Sequence, residues 1–106
     1  MALTQDLIET ILQRTREGKL DWSELSDNGY IASIGPNSIV IDRGKTGGYA
    51  LRITNERGKV IETAISESIA EGFSRTPLQE IYELARRQAL NVNETLLDIK
   101  KNLERL

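Results

Sequence analysis

Between Tyr30 and Ser66 the chain runs through four short segments rich in β-branched and aromatic residues: Tyr30 to Ile34, Ser38 to Arg43, Tyr49 to Asn55 and Lys59 to Ser66. The stretches between them, Gly35-Pro36-Asn37, Gly44-Lys45-Thr46-Gly47-Gly48 and Asn55-Glu56-Arg57-Gly58, are too short for a crossover helix. Consecutive strands are therefore expected to pair antiparallel, as a meander. Alternation in the third segment sets Tyr49, Leu51 and Ile53 on one face and Ala50, Arg52 and Thr54 on the other, so one side of the sheet is expected to be partly polar. Helices must then cover the apolar side.

Helical patterns flank the strands. Leu3, Leu7, Ile8, Ile11 and Leu12 share one face of an amphipathic helix from Leu3 to Gly18, with Thr4 placed to cap its start and Gly18 suited to the left-handed position after its end. Lys19 to Gly29 reads as a polar connector that Trp22 pins to the core, and Glu67 to Arg75 as a loop or a short turn of helix. Thr76-Pro77-Leu78-Gln79 combines an N-cap threonine, a proline in the first turn and a glutamine three residues after the cap, which marks a helix start. Leu78, Ile81, Tyr82, Ala85 and Ala89 make its buried stripe. Asn91-Val92-Asn93-Glu94 then suggests a break, leaving either two short helices or one bent one. The expected architecture is α+β: an N-terminal helix, a four-stranded antiparallel β-meander and one or two C-terminal helices packed on one face of the sheet. All of it belongs to a single domain, 1–106, with a core led by Leu7, Ile8, Ile11, Trp22, Ile34, Leu51, Ile53, Ile81, Tyr82 and Ala85.

Composition bears mainly on function. The chain has no cysteine and no histidine, which removes thiolate chemistry, disulfides, the commonest general base and the commonest metal ligand. Its serines have no histidine to activate them and no nucleophile-elbow motif surrounds them, and the carboxylates are spread as on solvated faces. No enzyme, no metal and no cofactor are expected. The apolar runs are too short for a membrane span and the start of the chain does not read as a signal peptide, so a cytoplasmic protein without a membrane partner is expected. Fourteen basic against sixteen acidic residues give a formal charge of -2, so no global field draws the chain to nucleic acid, which is disfavoured as a partner.

Two local features invite a functional reading. Leu96, Ile99, Leu103 and Leu106 repeat at three, four and three residues, the spacing of a seam against another helix. That seam fits either the protein's own N-terminal helix or an interface with a protein partner or a second copy. Arg43, Lys45, Arg52, Arg57 and Lys59 crowd one stretch against the single acid Glu56, a candidate anion-binding segment for a phosphate-bearing ligand; the loops at Lys45 and Arg57 need not form one patch, although Arg52 could lie on an exposed sheet face between them. Gly44-Lys45-Thr46 resembles the end of a phosphate-binding P-loop, but Ile39 stands where that motif needs glycine and a strand follows in place of a helix. Arg86 and Arg87, at three and four residues from Glu83, suit either intrahelical ion pairs or recognition of an acidic or phosphorylated group.

Leu78-Gln79-Glu80-Ile81-Tyr82-Glu83-Leu84-Ala85-Arg86-Arg87-Gln88-Ala89-Leu90, with Gly18-Lys19-Leu20-Asp21-Trp22 and Tyr30-Ile31-Ala32-Ser33-Ile34, resembles a group of short stand-alone bacterial proteins of uncharacterised function. The resemblance runs over nearly the whole chain. It implies the helix, sheet and helix order and carries over no activity, cofactor or partner. A non-catalytic module that self-associates or docks on a larger partner is the leading expectation, with a phosphate or nucleic-acid binder as the alternative.

Overall fold

The computed structural model describes residues 3–44, 47–66 and 76–106. In chain order the elements are α1 (Leu3–Arg16), β1 (Ser23–Ser26), β2 (Gly29–Ile34), β3 (Asn37–Arg43), β4 (Tyr49–Thr54), β5 (Val60–Ser66), α2 (Pro77–Ala89) and α3 (Val92–Glu104). The strands form one antiparallel sheet in sequence order, a meander as the short connections require. The expectation for Glu67 to Arg75 lies outside the described residues.

The sheet has one strand more than expected. Ser23–Ser26 was expected to be part of a polar connector, and it pairs with β2 through a two-residue hairpin turn at Asp27-Asn28. All four of its residues are exposed, so no apolar alternation could announce it. Gly29, where the chain enters β2, allows the tight return: a Cβ there would lie 2.8 Å from Ser26 Oγ.

α1 buries Ile8, Ile11, Leu12 and Thr15, a stripe at three, four and seven residues. Leu7 stands one position off that stripe and is 38% exposed, and Ile34, beside the β2–β3 turn and beyond the helical cover, is 41% exposed, so neither belongs to the core expected of them. Thr15 takes a place that no apolar count would assign. Its hydroxyl donates to the Ile11 carbonyl at 2.7 Å and accepts from Trp22 Nε1 at 3.2 Å, so both buried polar groups are satisfied. Thr4 does not cap α1. It lies within the helix and its hydroxyl donates to Glu62 Oε2 on β5 at 2.9 Å. The other end closes as expected: Gly18 is left-handed at φ 73°, and the N–H groups of Gly18 and Lys19 reach the carbonyls of Thr15 and Arg14 at 3.1 and 2.9 Å, a Schellman closure.

At the start of α2, Thr76 Oγ1 accepts from the Gln79 N–H at 3.1 Å, and Pro77 occupies the first turn. Leu78, Ile81, Tyr82 and Ala85 are buried, and α2 contacts all five strands as well as α1 and α3. Arg16 clamps the two helices together, donating from Nε and Nη2 to the two carboxylate oxygens of Glu80 at 2.7 and 2.8 Å. The core formed by α1, α2, Trp22 and the inward residues of the sheet includes Tyr30, Ile39, Ile41 and Leu51. On the opposite face Val40 and Arg52 lie side by side, with Asp42 paired to Arg52, so that face is partly polar.

Two substitutions test this account. Thr76→Ala should lower the unfolding free energy by about 1 kcal/mol through loss of the cap. Ile81→Ala, at a fully buried position, should lower it by about 2–5 kcal/mol. Urea titration followed by far-ultraviolet circular dichroism measures both, and equal effects would contradict the assignment of Ile81 to the centre of the core.

Candidate functional site

α3 is amphipathic yet buries none of its residues. Its neighbour is α2, and the seam expected at Leu96, Ile99, Leu103 and Leu106 is 49% to 99% exposed, with Leu97 also exposed beside it. The alternative in which that seam packs on α1 is therefore not realised. α2 and α3 are two separate helices because Asn91 takes a left-handed conformation (φ 51°, ψ 45°) between them, a geometry that asparagine tolerates better than most residues.

Strand register divides the basic segment. Arg43 pairs across from Tyr49 at the β3–β4 end of the sheet, and Lys45 lies outside the described residues. Arg57 and Lys59 belong to the β4–β5 turn at the other end. Their N–H groups are tied to Asn55 Oδ1 at 3.0 and 3.1 Å, and Gly58 is left-handed at φ 79°. Arg52 lies between them, on the helix-free face, where Asp42 occupies its guanidinium. Arg43, Arg52, Arg57 and Lys59 therefore do not form one anion-binding patch.

Arg43 instead meets a different set of partners. It faces a cleft bordered by Tyr49 on β4 and by Tyr82, Glu83, Leu84, Arg86 and Arg87 on α2. The three tyrosines of the chain converge beneath it: Tyr82 meets Tyr30 edge-on with centroids 5.5 Å apart and meets Tyr49 at 5.3 Å. Arg86 is four residues from Tyr82 and shares its helix face. Arg87 Nη2 donates to Asn93 Oδ1 of α3 at 3.0 Å. Sequence proximity concealed this grouping. The usable signal was the hairpin register that sets Arg43 opposite Tyr49, together with the Tyr82 and Arg86 spacing.

The electrostatics of the cleft reach its floor. Burial pushes the Tyr30 phenol above its ordinary value, Tyr82 adds to the shift, and the nearby Arg86 guanidinium opposes it. Among the described residues no group of three acidic side chains converges as a metal site would require, and no helix is long and apolar enough to cross a membrane. No protein-family model, curated protein or solved structure matches the chain.

Because the folded protein holds Tyr30 neutral where an unfolded chain would ionise it, the stability this group contributes is complete below the ordinary tyrosine value of 10.0 and declines as pH rises past it. Absorbance at the tyrosinate band during an alkaline titration should show a late-ionising component that is missing in Tyr30→Phe. Its persistence in that variant would assign the late component to another tyrosine.

Proposed function

We propose that the protein is a non-catalytic, cytoplasmic interaction module that pairs with a second copy of itself, α3 against α3. The observation that carries this reading is the exposed apolar seam of α3, a helix that buries none of its own residues. Exposed contiguous apolar surface of this kind marks an interaction site. A helix alone in water is marginal, and the last turns of α3 gain little from the rest of the fold.

A second copy is the occupant favoured by charge. Glu94 and Asp98 lie in the first half of α3 and Lys100, Lys101 and Arg105 at its far end, with Glu104 the exception. An antiparallel pair about a twofold axis brings the acidic half of each helix beside the basic half of the other and opposes the helix dipoles. The lack of histidine and cysteine supports a non-catalytic role.

Magnitude sets the expected strength. Burying the exposed parts of four aliphatic side chains from each copy gives on the order of 1 kcal/mol per residue, and association itself costs about 4–15 kcal/mol. Set against the low end of that cost, about 4 kcal/mol remains, so a weak, concentration-dependent dimer with a Kd on the order of millimolar is expected rather than a permanent one. Sedimentation equilibrium on the full chain should show it, and Leu103→Asp should yield monomers that keep the folded core, read as an unchanged near-ultraviolet signal of Trp22, since Leu103 is exposed and supports no core. A chain that stays monomeric up to millimolar concentration would overturn the reading, as would dimers unaffected by Leu103→Asp.

A further inference from the structure

The cleft between the β3–β4 end of the sheet and the C-terminal half of α2 has a different chemistry from α3. Three guanidiniums, those of Arg43, Arg86 and Arg87, border it against one carboxylate, that of Glu83, and its volume is about 540 Å³. That volume lies within the ordinary range for small-molecule sites. Among the described residues Arg14, Arg16, Lys19 and Arg52 are each paired with a carboxylate, whereas the cations of the β4–β5 turn and of α3 are, like those of the cleft, in no ion pair. Arg43 and Arg86 make no side-chain hydrogen bond or ion pair with another described residue. Like charges gathered in a concavity repel one another, and an anion between them relieves that repulsion.

We propose that this cleft binds a phosphorylated small molecule of nucleotide size, its phosphate held by Arg43 and Arg86 and its flat ring lying against Tyr49. Guanidinium is the side chain best matched to a phosphate, because its planar fork donates two parallel hydrogen bonds. The two arginines come from different elements, a strand and a helix, whose backbones are held beside one another by the packing of α2 on the sheet. Tyr49 is half-buried, and its ring rests on Tyr82 at a centroid distance of 5.3 Å. The tilted contact braces the ring, and the half-buried tyrosine at the cleft border supplies an aromatic surface against which a planar group can pack. Arg87, anchored to Asn93, contributes positive potential at the rim.

The test is a titration of the full-length, isotope-labelled protein followed by two-dimensional amide NMR at low salt, with adenosine monophosphate, ribose 5-phosphate and adenosine as separate probes. Adenosine monophosphate should produce saturable shifts at Arg43, Tyr49 and Tyr82 through Arg87, weakening as salt rises. Arg43→Gln and Arg86→Gln should each reduce affinity about tenfold or more, the loss expected for a charge-assisted contact. Arg57→Gln, at the far end of the sheet, should leave it unchanged. Both cleft residues are exposed, so the remaining amide spectrum serves as the check that each variant is folded. Ribose 5-phosphate binding as tightly as adenosine monophosphate would overturn the role of Tyr49 as a stacking surface. No saturable shift from either phosphate at millimolar concentration, or shifts centred on Arg57 and Lys59, would overturn the site itself.

Discussion

The stripe of Leu78, Ile81, Tyr82 and Ala85 holds the sheet and the first helix together. α2 lies across all five strands, and α1 packs mainly on α2, so the attachment of α1 to the sheet runs largely through that one helix. Ala85 and Ile81 are entirely inaccessible. Around the stripe, polar groups fix orientation: the Arg16 fork on Glu80 joins α1 to α2, and the Trp22 N–H reaches Gln88 Oε1 at 3.3 Å. An ion pair at the surface, such as Arg16 with Glu80, is screened by solvent and adds little, so burial supplies the energy and these contacts supply the register.

Helix ends were legible in the sequence where side chains do the capping, as at Thr76, and where a glycine must turn left-handed, as at Gly18. The three inner strands and the long edge strand β5 were legible because their alternation and turns are strong. β1 was not, since a fully exposed edge strand leaves no mark in the apolar pattern and depends on backbone pairing that the Asp27-Asn28 turn makes possible. Leu7 and Ile34 show the complementary failure. The apolar face of α1 is wider than the stripe it buries, and hydrophobicity cannot say which edge of a wide face stays wet.

The candidate sites were legible to different degrees for the same reason. The α3 seam is a local repeat, and a local repeat can be read without knowing the fold. The basic cleft is not local. Arg43 was grouped with Arg52, Arg57 and Lys59 because they are neighbours in sequence, whereas antiparallel hairpins send successive turns to opposite ends of a sheet. The partners that matter to Arg43 come from α2, and only the packing of that helix on the sheet brings Arg86 and the three tyrosines to it. The last turn of α2 also eases the crowding of charge, because cations are favoured at the negative end of a helix dipole.

Asn91 separates the two surfaces. The buried positions Leu78, Ile81 and Ala85 run on through Ala89, Val92, Leu96, Ile99 and Leu103 in an almost unbroken alternation of three and four residues. An uninterrupted helix would carry the seam of α3 on the same face as the stripe that α2 buries. The left-handed turn at Asn91 stops that continuation just beyond the cleft, and α3 departs with the core-type pattern still in its sequence and no core of its own to enter. On the proposed reading the pattern makes physical sense: α2 spends its apolar stripe inside the chain, α3 keeps its stripe for a second copy, and the Arg87 to Asn93 hydrogen bond ties the start of α3 to the rim of the cleft.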